Sequence, residues 1–145
     1  TAIDLLNSGD FKFGRLNFPN GDMVGHTGAA QAAIAAVETV DMCVGKLLAV
    51  VEKLEGIAVV TADHGNADEM FSLDKKGNRS VKTAHSLNPV PFVIYDAQYR
   101  GDYRMADLKE KGLSNIAATL LNLLGYDKPA EYDPSLIEIV SGAKE

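Results

Sequence analysis

The sequence predicts an α/β domain, and three observations carry that reading. Apolar runs of strand length alternate with helical patterns along the chain. One run, Ile57-Ala58-Val59-Val60-Thr61-Ala62, is continuous, which suits a strand covered on both faces, as in a parallel sheet flanked by helices. The chain has 145 residues, 46% hydrophobic and 23% charged, as fits one soluble domain of ordinary size with a real core.

The elements follow in order. Residues 2 to 8 read as the end of a helix, stopped by Asn7-Ser8-Gly9. Phe11 to Asn17 alternates apolar with polar or small residues and predicts a strand. Phe18-Pro19-Asn20-Gly21 breaks that strand and delivers Asp22 into a loop. The longest helix is predicted from Gly28 to Leu54, capped by Thr27. Its apolar stripe is Ile34, Val37, Val40 or Asp41, Val44, Leu47, Leu48 and Val51, with Glu38, Lys46, Glu52 and Lys53 outside it. Gly56 ends the helix and the 57–62 strand follows. Residues 65 to 88 form a polar stretch with a turn at Lys75-Lys76-Gly77-Asn78-Arg79, and Pro91 to Tyr95 is the next strand. Ser114 is placed to cap a helix from Asn115 to Leu124, which Gly125 stops.

Bulk properties exclude several roles. A net charge of −6 without basic runs argues against binding nucleic acid or an acidic membrane, but leaves room for a small anionic substrate. The single Cys43 excludes an internal disulfide, fits a reducing compartment and falls in the helical apolar pattern as a core residue. No signal peptide or apolar run of about 18 residues is present, so the cytoplasm is the expected location. Met23, Met42, Met70 and Met105 show no periodicity and read as packing. Lys75, Lys76, Arg79 and Lys82 read as a solvated loop face. Neither G-x-G-x-x-G nor a P-loop occurs.

All three histidines lie in short segments shared with aspartates or near strand ends: Asp22-Met23-Val24-Gly25-His26, Thr61-Ala62-Asp63-His64-Gly65 and Ala84-His85-Ser86-Leu87-Asn88-Pro89. Each has a plain alternative. Asp22 can cap a turn, Asp63-His64 can be an ordinary polar turn, and His85 can be a hydrogen-bonded loop histidine. Jointly they favour a transition-metal site. Two carboxylates and three imidazoles without a thiol suit Mn, Zn or a similar ion. Asp22 and Asp63 each follow a predicted strand, and ligands of open α/β sheets collect beyond the carboxyl ends of strands. A compact turn at Met23-Val24-Gly25 lets Asp22 and His26 face one ion, with Gly25 allowing close backbone approach.

Three strings then carry a specific match. Asn17-Phe18-Pro19-Asn20-Gly21-Asp22-Met23-Val24-Gly25-His26-Thr27-Gly28, Val60-Thr61-Ala62-Asp63-His64-Gly65-Asn66-Ala67-Asp68-Glu69-Met70 and Thr83-Ala84-His85-Ser86-Leu87-Asn88-Pro89-Val90-Pro91-Phe92 resemble the cofactor-independent phosphoglycerate mutases of the alkaline phosphatase superfamily. The segment Tyr132-Asp133-Pro134-Ser135-Leu136-Ile137 resembles the family's C-terminal end. The resemblance implies an alkaline phosphatase-like sheet flanked by helices. It also implies a two-metal isomerase, with manganese foremost and Zn, Co or Mg as alternatives. Such an enzyme interconverts 3-phosphoglycerate and 2-phosphoglycerate through a phosphoserine intermediate, with no 2,3-bisphosphoglycerate requirement. By matching motifs, Asp22, His26 and His85 would hold the first ion, and Asp63 and His64 would contribute to the second.

The departure from the family pattern is as informative. The serine nucleophile, a further aspartate ligand and the inserted substrate-gripping domain have no counterpart here, and the chain opens on Thr1 within a helical pattern. Ser72, Ser80, Ser86 and Ser114 lie in the wrong motif context to serve as nucleophile. The expectation is therefore residues 1–145 as the C-terminal part of a phosphatase-like, metal-binding domain, inactive alone and prone to self-association through exposed sheet edges. Catalytic and substrate-binding residues stay unassigned. Phosphopentomutase, a phosphohydrolase of the same superfamily and a non-catalytic metal-binding module are the competing readings. Asn66-Ala67-Asp68-Glu69-Met70 favours the glycolytic mutase.

Overall fold

The computed structural model describes residues 1–140, so the last five positions of the expected 1–145 domain lie outside the described residues. The chain divides into two compact units, Thr1–Ala97 and the residues from Gln98 onward, and each is described by itself.

In the first unit, helix α1 (Ala2–Ser8) starts with a capping box between Thr1 and Asp4 and stops at Gly9, whose φ of 75° only glycine adopts cheaply. The expected strand at 11–17 does not form. These residues are exposed coil, and Phe11, Phe13 and Leu16 find no partner strand, so alternation alone could not make one. Asp22 lies on a short helix, α2 (Asn20–Gly25), rather than in a loop.

Helix α3 (Ala30–Lys53) is close to its predicted span. Thr27 does not cap it. Its hydroxyl donates to the Val24 carbonyl (2.6 Å) and accepts from the Ala29 amide (3.2 Å), bracing the turn between α2 and α3 instead. The buried stripe also differs from the expected one: Ala33 is buried while Ile34 and Val37 are exposed. Of the methionines only Met70 is buried. Met23, Met42 and Met105 are exposed, and Cys43 is half-buried.

Strand β1 (Ile57–Thr61) forms where expected, but its partner is β4 (Phe92–Asp96) and the pairing is antiparallel, Ile57 opposite Asp96 and Thr61 opposite Phe92. The strand is half-exposed, not covered on both faces. An apolar run reports a strand's affinity for burial and not the direction of its neighbour. Between them, β2 (Phe71–Leu73) and β3 (Arg79–Val81) make a hairpin whose turn is held by Asp74, which accepts from the amides of Lys76 and Asn78, each at 2.8 Å. The basic residues here are not all free. Arg79 lies 3.4 Å over the Phe71 ring, and Lys82 pairs with Glu69 at 2.6 Å.

In the second unit, β5 (Tyr103–Met105) pairs antiparallel with β6 (Ile137–Ile139), and α4 (Ile116–Leu123) packs on β6. Ser114 is not the cap of α4. Asn115 holds the entry, accepting from the Gly112 amide (2.7 Å) and donating to the Pro134 carbonyl (2.7 Å). The fully buried Thr119 accepts from the Leu136 amide (2.8 Å), so a polar bridge fastens the helix to the segment entering β6. No helix among the described residues is long and apolar enough to cross a membrane.

Candidate metal centre

Helix α2 does what a compact turn was expected to do. The His26 amide donates to the Asp22 carbonyl at 3.1 Å, a helical i to i+4 bond, so both side chains leave one face of the turn. Gly25 is required between them by space: a Cβ there would fall on the Asn66 carboxamide oxygen. β1 ends at Thr61 and delivers Asp63 and His64. The loop between β3 and β4 brings His85, and it is tied back by a bridge in which the Ser86 amide donates to the Gly65 carbonyl at 2.8 Å.

Asp22, His26 and His85 thereby converge. Their facing atoms form a near-equilateral triangle: Asp22 Oδ1 to His26 Nε2 is 3.2 Å, Asp22 Oδ1 to His85 Nε2 is 3.2 Å, and the two Nε2 atoms are 3.3 Å apart. Donors held at roughly 2.0–2.2 Å by a tetrahedral ion stand roughly 3.3–3.6 Å from one another, so the triangle is close to the size of one face of such a shell. Asp22 Oδ1 is buried and has no hydrogen-bond partner, a costly state for a carboxylate oxygen unless a cation or proton lies among the three atoms. These three residues could hold a divalent ion.

Asp63 and His64 do not join that triangle. They face each other at 3.5 Å, and the Asp63 carboxylate is largely exposed. They are nonetheless adjacent to it, because the His64 ring stacks on the His85 ring with centroids 3.6 Å apart and planes within 8°. His64 Nδ1 is buried and unpartnered. Among the described residues, this pair alone supplies too few donors for a closed shell.

Residues not picked out individually from the sequence surround these groups. Asn66 is buried, and its amide nitrogen lies 3.3 Å from the His26 ring nitrogens. Asp68 accepts from Ser86 Oγ (2.9 Å) and Asn88 Nδ2 (2.6 Å) on one carboxylate oxygen. The Asn88 bond, first, holds the Asp68 carboxyl below its ordinary range; burial opposes it, and the Ser86 bond adds a smaller lowering effect. The signal was present in the motif strings, but the contacts that assign roles within them are made across sequence.

A family described as the metalloenzyme superfamily matches residues 1–128, most of the chain. The chain belongs to the metalloenzyme superfamily. Curated relatives of this superfamily member bear the name 2,3-bisphosphoglycerate-independent phosphoglycerate mutase. The Trypanosoma brucei brucei relative is 43% identical over 95% of the chain, and one from Arabidopsis thaliana is 44% identical over 96%. One from Clostridioides difficile is 50% identical over 90%. A solved structure of Leishmania mexicana phosphoglycerate mutase at low cobalt concentration matches with a TM-score of 0.88 and 45% identity, covering 96% of this chain. That likeness, with the mixed helices and strands, agrees with the α/β, alkaline phosphatase-like class expected from the sequence. The chain spans about a quarter of the length of these relatives, 24 to 27%.

Proposed function

We propose that this chain is the metal-binding part of a 2,3-bisphosphoglycerate-independent phosphoglycerate mutase, an isomerase interconverting 3-phosphoglycerate and 2-phosphoglycerate in glycolysis and gluconeogenesis, in the cytoplasm. The observation that carries the reading is the triangle of Asp22 Oδ1, His26 Nε2 and His85 Nε2, with edges of 3.2 to 3.3 Å. It is supported by strong identity to enzymes of that name over nearly the whole chain.

In this reading Asp22, His26 and His85 hold the first ion, and Asp63 and His64 contribute to the second. Manganese is the proposed ion, since oxygen and imidazole donors without thiolate accept it readily. Divalent ions supply charge stabilisation for a phosphoryl group and lower the pKa of a coordinated hydroxyl. The chain's own residues do the preparatory work. The helical spacing of Asp22 and His26 sets two donors on one face, the Gly65–Ser86 bridge brings the third, and the Asn66 amide lies against the His26 ring at 3.3 Å. The nucleophilic serine and the residues that grip phosphoglycerate are proposed to lie outside these 145 residues, so the chain alone should turn over no phosphoglycerate.

Calorimetric titration with manganese, beside an Asp22→Ala control and parallel titrations with zinc, cobalt and magnesium, tests the reading. The expected result is about one manganese ion per chain, abolished in the control, because Asp63 and His64 alone retain a second ion poorly. Absence of binding for all four ions would overturn the assignment of the triangle.

A further inference from the structure

We propose that Asp68 is a positioning residue: by holding Ser86 and Asn88 on one carboxylate oxygen it locks the loop bearing His85 against the loop bearing His64, setting the imidazole donors before a metal arrives. This deepens the function proposed above and rests on it for its consequence, though not for its geometry.

His85 sits at the start of an irregular loop segment, and it and its neighbour Leu87 are exposed, so neither can be fixed by its own burial. What fixes the segment is the residue after His85. Ser86 is 3% exposed, its amide donates to the Gly65 carbonyl at 2.8 Å, and its hydroxyl donates to Asp68 Oδ2 at 2.9 Å. Two positions on, Asn88 Nδ2 donates to that same oxygen at 2.6 Å. One acceptor atom therefore grips both ends of the three-residue stretch that follows His85.

The other side of the clamp is the residue after His64. Gly65 carries no side chain, and the space a Cβ would need is filled by Ser86 Oγ and the Asp68 carboxylate. With Gly65 and Ser86 bridged, the preceding residues His64 and His85 are brought alongside, and their rings stack at 3.6 Å. That stack leaves His85 Nε2 3.2 Å from Asp22 Oδ1. Asp68 contributes no atom to the donor triangle, so its effect is exerted through His85. Outer groups of this kind tune metal affinity by orienting the ligands. A merely local role, bracing the three-residue 3₁₀ turn Ala67–Glu69, would leave the His85 loop indifferent to Asp68.

The test uses the metal-free 145-residue chain and its Asp68→Ala, Asp68→Asn and Asn88→Ala variants. Ring-proton shifts of His64 and His85 are read by NMR, with hydrogen exchange at the Ser86 amide. In Asp68→Ala the ring-current shifts of the stacked pair should collapse, and Ser86 exchange should accelerate on the order of tenfold while α3 amides keep their protection. Asp68→Asn retains an acceptor oxygen and should restore both signals. Asn88→Ala, which removes only an exposed donor, should fall between, and it keeps the test decisive should Asp68→Ala fail to fold. Unchanged His85 shifts in Asp68→Ala and Asn88→Ala, or acceleration of every amide together, would overturn the proposal. Manganese titration of the same variants separates the two layers, with an expected weakening of about tenfold in Asp68→Ala and rescue in Asp68→Asn. A wild type that binds none of manganese, zinc, cobalt and magnesium but shows the NMR response would sink the metal reading and leave the clamp standing.

Discussion

Gly65→Ala should destabilise the first unit far more than a single methyl group suggests. Gly65 is not among the residues in the left-handed region, so alanine meets no backbone penalty and the substitution tests space alone. Its Cβ would fall on Ser86 Oγ and come within 2.6 and 2.9 Å of the two Asp68 carboxylate oxygens. Ser86 is buried and bonded through its amide to Gly65 itself, so its hydroxyl has little room to turn away. Overpacking of this kind costs about 1–3 kcal/mol. Displacing a buried hydroxyl from a carboxylate adds about 1.5–3 kcal/mol, part of which the exposed Asp68 recovers from water. A net loss of about 2–3 kcal/mol follows, lowering Tm of a unit this size by roughly 10–20 °C. Urea and thermal unfolding of Gly65→Ala beside wild type measure it. Gly65→Ala/Ser86→Ala should lose less than the sum of the single variants, because deleting Oγ removes the principal clash. A loss below about 0.5 kcal/mol in Gly65→Ala would show that the two loops separate at no cost, and would refute the close-packing argument.

The remaining predictions concern acid and association. The Asp68 carboxyl is held below its ordinary value of 3.8, first by Asn88, so its contribution to stability is complete above about pH 5 and disappears as pH falls through the depressed value. The stability difference between wild type and Asp68→Asn should therefore shrink as pH falls below about 5 in urea titrations. A pH-independent difference would contradict it. Among the described residues β1 and β4 form a ladder of two strands, with Ile57 and Val93 exposed. Such edges recruit further strands, so light scattering should show a mass that rises with concentration. A monodisperse monomer with one cooperative unfolding transition would count against that.

How much of this was legible beforehand follows from the range of the forces involved. The long helix, the 57–61 strand, the 92–96 strand and the terminal helix were readable because burial periodicity and Gly stops act over a few residues. Where a partner decides, local pattern failed. Phe11 to Asn17 alternates like a strand but lacks a neighbour, Thr27 looks like a cap but α3 starts after Ala29 without a side-chain cap, Ser114 looks like one but Asn115 holds the entry to α4, and Ile57 to Thr61 announced a strand without saying that its partner runs antiparallel. The metal candidates divide the same way. Asp22 and His26 were legible together because one helical turn joins them. His85 entered the group by motif, and only the tertiary structure shows that its Nε2 stands 3.2 Å from Asp22. The sequence by itself determined the stock of donors and the elements that carry them. Tertiary structure alone decided that Gly65, Asp68 and Ser86 close two distant loops on each other, since a hydrogen bond between residues 18 apart leaves no periodicity for a sequence to display.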